Sequence, residues 1–284
     1  SAADMATADM ATLTRQAQNG DVAAQLDLAD EYYKRGNHAK AFEWTTKAAN
    51  QGFADAQFGL GVLYHNGHGV SQDYQKAVEW ITKAANQGHA AAQTNLGLMY
   101  EQGKGVRQDY QKAFEWTTKA ANQGYADAQN NLGVMYDNGQ GVRQDYQKAV
   151  EWYTKAAHQG DAGAQYNLGG MYAKGHGVSQ DYQKAFEWTT KAANQGFADA
   201  QFNLALMYVN GHGVRQDYQR AVEWYTKAAN QGIADAQFNL ALMYVNGHGV
   251  RQNKSTAKRY FGQACDNGYQ SGCDHYRILN EQGY

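Results

Sequence analysis

The chain has 284 residues, a net charge of −2 and no proline, where average usage would give about 14. That balance offers no general basic face to a nucleic acid, and no apolar run approaches the ~20 residues of a membrane-spanning helix. A hydrophobic content of 43% is too high for a disordered chain, which leaves a helix-rich protein able to bury a core.

Residues 1–19 read as a tail and capping helix. The pentapeptide Ala-Asp-Met-Ala-Thr occurs twice within 3–12, where fraying is expected, and 8–18 match only the second helix of the unit that follows. From residue 20 the chain repeats itself. The hexapeptide opening at Gly52 recurs at Gly88, Gly124, Gly160, Gly196 and Gly232, always 36 residues on, with a degenerate copy at Gly268 and a shorter first unit at Gly20. Trp44, Trp80, Trp116, Trp152, Trp188 and Trp224 share one column, whose seventh place is Tyr260, and residues 198–216 and 234–252 are identical. The predicted repeats are 20–51, 52–87, 88–123, 124–159, 160–195, 196–231 and 232–267.

Each unit reads as two helices. In the second, Ala56, Leu60 and Tyr64 make one apolar stripe, broken by Asn66-Gly67-His68-Gly69. Asp73 stands as the N-cap of a helix striped by Ala77, Trp80 and Ala84. Glu79 and Lys83 are spaced to pair on its wet side, and Gly88 closes it in the left-handed conformation. Gly61 beside Leu60 lets helices approach closely, and such a pair buries its stripe only by stacking on its neighbours. At 268–284, a C-terminal capping helix, Tyr276 replaces the leucine and Arg277 the close-packing glycine, which obstructs a further repeat.

The pattern Ala56…Leu60-Gly61…Tyr64…Gly67…Asp73…Lys76-Ala77…Trp80…Lys83-Ala84-Ala85…Gly88 resembles the Sel-1-like repeat, a longer relative of the tetratricopeptide repeat, over roughly 20–284. The resemblance implies an all-α, right-handed α/α superhelical solenoid whose first helices line the concave side, and a protein-binding adaptor rather than an enzyme. By register, Cys265 ends one helix and Cys273 begins the next, so they can meet across the turn; the alternative is two buried free thiols. Disulfides of the cysteine-rich bacterial Sel-1-like subgroup have this same eight-residue spacing, which favours a bridge. A bridge implies a periplasmic or secreted protein, whose signal peptide is expected to have been removed ahead of Ser1.

Catalytic patterns are sparse. Ser255-Thr256-Ala257-Lys258 fits Ser-x-x-Lys, the nucleophile motif of penicillin-binding enzymes, but neither Ser-Asp-Asn nor Lys-Thr-Gly accompanies it. A cell-wall or β-lactam-active enzyme is therefore a remote alternative, and no catalytic residue, metal ligand or cofactor is assigned. His68, His176, His212 and His248 share a loop column, too far apart for one zinc and expected to stand in solvent. The Trp and Tyr columns have core phase, and Asp109, Asp145 and Asp217 weaken the basic stripe of Arg107, Arg143, Arg215 and Arg251, so no nucleic-acid partner is expected.

Three first-helix columns vary while the packing columns hold constant, and by likeness to tetratricopeptide repeats they are the concave contact positions. They include Phe58, Val62 and His65; Leu98 and Glu101; Asn130 and Asp137; Tyr166; Phe202, Leu206 and Val209; and Phe238, Leu242 and Val245. Acids at the centre give way to exposed apolar groups towards the C-terminus, a composition that points to a partner site. The competing reading is that Phe202 and Phe238 fill gaps between adjacent first helices. The expected function is a monomeric, non-catalytic scaffold for another protein. Its role would be immunity protein for a secreted toxin such as a phospholipase effector, as in some bacterial Sel-1-like proteins, or adaptor in envelope assembly or host contact.

Overall fold

The computed structural model describes the backbone of residues 2–284 and the side chains of 9–284. The fraying expected at the chain start concerns side chains that lie partly outside the described residues. Among the described residues there are sixteen helices and no strand. A capping helix α1 (Ala2–Gln18) is followed by α2 (Val22–Lys34), α3 (His38–Asn50), α4 (Ala54–Asn66), α5 (Tyr74–Asn86), α6 (Ala90–Gln102), α7 (Tyr110–Asn122) and α8 (Ala126–Asn138). Then come α9 (Tyr146–His158), α10 (Ala162–Lys174), α11 (Tyr182–Asn194), α12 (Ala198–Asn210), α13 (Tyr218–Asn230), α14 (Ala234–Asn246), α15 (Lys254–Asp266) and α16 (Gln270–Glu281). The chain divides into two compact units, Ser1–Gln144 and Asp145–Tyr284. Within each, every helix packs on the one before and the one after it, the arrangement of a helix-pair solenoid.

In the first unit α1 closes the stack: Ala17 is buried with Ala24, Leu28, Ala29 and Trp44, and Met10 and Leu13 pack on that cluster. The second unit has one continuous core running from Ala192 to Leu279. Alanine and glycine dominate where helices cross because nothing larger fits: a Cβ on Gly97 would strike Thr117 Oγ1 at 2.5 Å, and one on Gly169 would strike Thr189 Oγ1 at 2.6 Å. Aspartates start the second helices as their sequence requires, with Asp73 accepting the Lys76 N–H at 3.0 Å and Asp217 that of Arg220 at 3.1 Å.

The inter-helix loop also joins successive repeats. Gly213 has φ +74°, and its Cα sits so close to the start of α11 that an added Cβ would lie 2.7 Å from the Tyr182 carbonyl carbon. Glycine is therefore required twice over, by conformation and by contact. Of the neighbouring histidines, His212 and His248 are exposed as expected and His68 and His176 are half-buried, and all four also pack along the same seam. His176 stacks on Tyr146 at 4.4 Å, His212 on Tyr182 at 4.4 Å and His248 on Tyr218 at 4.9 Å, while His68 Nδ1 meets Tyr33 Oη at 3.0 Å.

Two further expectations are corrected. Lys83 does not reach for Glu79; its ammonium lies over the Trp80 ring at 4.2 Å, and five other Trp–Lys pairs, Trp44–Lys47 to Trp224–Lys227, stack in the same way at 4.2–4.6 Å, although Lys47 also pairs with Glu43 at 3.7 Å. Cation–π attraction to the ring face competes with an ion pair that water screens. Trp44 alone of the six is fully buried; the others are half-buried beneath their lysines, so the column is a lid on the core rather than its centre.

A polar ladder runs through the buried stack. Gln87 Nε2 donates to Gly52 O at 2.9 Å and to the buried Gln57 Oε1 at 2.7 Å, and the same bonds recur from Gln123 to Gly88 and Gln93. In the second unit Gln195 and Gln231 repeat them on Gly160, Gln165, Gly196 and Gln201. Among the described residues no buried side-chain polar atom lacks a partner. Shifting one repeat against the next would orphan a whole rung, so the ladder sets the stacking register.

Candidate protein-interaction face

In the first unit Phe58, Val62 and His65 lie on α4, Leu98 and Glu101 on α6, and Asn130 and Asp137 on α8. In the second, Tyr166 lies on α10, Phe202, Leu206 and Val209 on α12, and Phe238, Leu242 and Val245 on α14. All fourteen are half-buried. This corrects the expectation of exposed apolar groups: the large hydrophobic side chains most open to solvent are elsewhere, such as Tyr110, Tyr182, Tyr276 and Ile278.

The first column is engaged between repeats. Phe58 stacks on His89 at 5.0 Å, Tyr166 lies against Phe197 at 5.2 Å and Phe238 against Tyr269 at 4.7 Å, each partner standing just ahead of the next first helix. Phe238 also touches Phe261 and His275, and Phe202 has Tyr225 at 6.0 Å. Burial pushes the Tyr225 hydroxyl up to about 12, and burial followed by the charge of Asp199 raises that of Tyr166.

The other two columns are freer. Val62, His65 and Leu98 line a cavity of about 400 Å³ with Ile81 and Met99 behind them and Asn66, Asn95, Gln102 and Lys104 around them. A cavity of about 220 Å³ opens one repeat earlier, where Gly59 takes the place that asparagine holds in the later repeats. The third column is rigid because a loop glutamine ties down its backbone. Gln72 donates to His65 O at 2.8 Å, Gln108 to Glu101 O at 2.7 Å and Gln216 to Val209 O at 2.8 Å.

Glu101 stands apart electrostatically. It is half-buried, no hydrogen bond or ion pair among the described residues holds its carboxylate, and burial raises its pKa above the ordinary glutamate value. Sequence reasoning found Glu101 but missed Asn66, Asn95, Gln102 and Lys104, because they lie outside the variable columns and join the site only when α4 and α6 stand side by side.

The Sel1 repeat profile matches residues 22–53, 54–89, 90–125, 126–161, 162–197, 198–233 and 234–269. The chain belongs to the Sel1 repeat family. Its fold is similar to that of a protective antigen present in uropathogenic Escherichia coli strains, with an SLR fold, at 36% identity and a TM-score of 0.86 over 97% of this chain. The chain spans 60% of that protein's length. A Sel1 repeat protein from Oxalobacter formigenes is 35% identical, with a TM-score of 0.80 over 95% of this chain and 79% of its own. No curated protein matches.

Sel1 repeats form a protein-interaction fold, and the other sequence candidates can be judged on that scaffold. Cys265 and Cys273 form a disulfide, Cα to Cα 4.6 Å, that fastens α16 to α15. The Lys258 ammonium donates to Asn280 Oδ1 at 2.8 Å and to Tyr284 O; Ser255 lines the same cavity as Lys258 but is not hydrogen-bonded to it. Among the described residues no group of three His, Cys, Asp or Glu side chains could hold a metal ion, and no helix is long and apolar enough to cross a membrane.

Proposed function

We propose that this Sel1 repeat chain is a non-catalytic scaffold that binds another protein along its first-helix face. The observation that carries the reading is the cavity between α4 and α6, lined by residues of the variable columns and held open by the Gln72 and Gln108 loop anchors. A concave pocket that combines apolar side chains with convergent polar groups, as this one does, is where a protein surface takes a ligand side chain. The first-column rings border the face and set the spacing of its helices, while the second and third columns offer the contact.

The Cys265–Cys273 bridge supports residence in an oxidising compartment, the periplasm or outside the cell. Two roles fit a scaffold there: immunity protein for a secreted toxin, such as a phospholipase effector, or adaptor in envelope assembly or host contact. The likeness to a protective antigen favours the second role.

The test is capture of partners from the source cell's own extract by the immobilised chain and by two variants. Leu206→Lys with Leu242→Lys alters the first-helix face; Glu115→Lys with Glu187→Lys alters exposed positions on second helices. The reading expects the first variant alone to lose the captured protein when both are assayed well below their own melting temperatures, since Leu206 and Leu242 also pack on the core. Loss confined to the second-helix variant would place the partner on the opposite face and refute it. One stoichiometric toxic enzyme among the captured proteins identifies an immunity role, and several structural proteins identify an adaptor.

A further inference from the structure

The first helices of the two units differ sharply in charge. Those of the first unit carry Asp27, Asp30 and Glu31 on α2, Asp55 on α4, Glu101 on α6 and Asp127 and Asp137 on α8, with Lys34 their only lysine. Lys34 is already committed to Asp30 at 3.0 Å. Those of the second unit carry fewer acids, Asp199 on α12, Asp235 on α14 and Asp274 and Glu281 on α16, beside Lys174 and Arg277, and have Ala173, Val209 and Val245 in the column that holds Glu101 and Asp137.

The cavity of about 400 Å³ lies in the acidic unit. Glu101 does not itself line the cavity; it stands one turn beyond Leu98 and next to Gln102, both of which do, on the face of α6 that carries Leu98. Lys104, on the same rim, forms no ion pair with it and instead lies over the Tyr74 ring at 5.7 Å. His65 is likewise occupied, with Nδ1 at 3.1 Å from Asn66 Oδ1 and its ring 5.0 Å from that of Tyr74. A half-buried carboxylate without a counter-charge, close to a cavity of mixed apolar and polar lining, is an incomplete arrangement. It has lost part of its hydration, and nothing among the described residues replaces it.

We infer that the cavity between α4 and α6 receives an aliphatic side chain of a basic partner segment, and that Glu101 takes the arginine or lysine beside it. Val62, Ile81, Leu98 and Met99 bury the aliphatic group, Asn66, Asn95 and Gln102 offer hydrogen bonds to the segment's backbone, and the acidic first helices steer the cation inward. The inference rests on the first-helix face being the partner surface, and adds which chemistry that surface selects.

Two probes test it on the full chain with labelled Ile, Leu, Val and Met methyls: acetyl-Gly-Leu-Arg-Gly-amide and the same peptide with Glu for Arg. The Arg peptide should shift the methyls of Val62, Ile81, Leu98 and Met99 and bind about fivefold tighter than the Glu peptide, as one partly exposed ion pair provides. Glu101→Gln should erase that preference without lowering the melting temperature, and Leu98→Trp should fill the hole and abolish the shifts. Absence of shifts with either peptide overturns the proposal, as does tighter binding of the Glu peptide, which would make Lys104 the selecting group. Should the peptides fail while Leu206→Lys with Leu242→Lys still releases a captured protein, the pocket assignment falls and the wider face reading stands.

Discussion

Replacing Phe238 by alanine removes a ring that lies 5.4 Å from Phe261, 4.7 Å from Tyr269 and 5.2 Å from His275. A fully buried Phe→Ala change costs ~3–5 kcal/mol, and half-burial brings the area and cavity part to about 2. Losing three ring contacts, all with residues of α15, α16 or the turn between them, adds on the order of 1 kcal/mol. The expected loss is about 3 kcal/mol. Phe202, with one ring partner at 6.0 Å, should cost about 2. Because stability in a stacked array is local, Phe238→Ala should melt α14–α16 ahead of the rest, whereas Phe202→Ala should weaken the middle of the second unit. The assay is urea unfolding followed by circular dichroism, with hydrogen exchange to locate the early-melting helices and partner binding measured in parallel. If the rings pack between repeats, binding should fall only in proportion to the folded fraction. A double variant that melts like the wild type yet loses binding a hundredfold would refute that assignment and make the rings direct contacts.

Gly213→Ala should cost about 3–4 kcal/mol, combining a positive φ with overlap against the start of α11, while Gly196→Ala, at φ +91° with open space around it, should cost only about 1–2; equal losses in urea titrations would contradict the seam. Glu101→Gln should stabilise the fold near neutral pH. The folded carboxyl keeps its proton to higher pH than the unfolded one, so wild-type stability falls as pH rises through that window, and the variant's advantage should vanish below about 4 in melts across pH. Reduction of Cys265–Cys273 should release α16 before the other helices exchange, a loss of about 2–3 kcal/mol at that end; two thiols titrated in unreduced protein from an oxidising compartment would remove both the bridge and the compartment assignment.

Much of this architecture is legible from residues 20–284 alone. A 36-residue period, aspartates at Asp73 and its copies and glycines at Gly67 and its copies dictate a helix, a turn and a second helix, because caps and left-handed turns are decided within a few residues. The same arithmetic isolates variable columns from constant ones and therefore reaches Val62, His65, Leu98 and Glu101. Partners about thirty residues away are a different matter. Nothing in the period says that Gln87 will bond Gln57, that His212 will lie on Tyr182, or that Asn95 and Lys104 will join Val62 around one cavity. Those pairings depend on how far one helix pair is displaced and rotated on the next, and that displacement is set by side-chain volumes at the crossing, with Gly97 against Thr117 in one repeat and Ala241 in the core beside Phe261 in another. Local chemistry determined the helices; only packing between repeats decided which of their faces was sealed by aromatic rings and which was left with a hole and an unpaired acid.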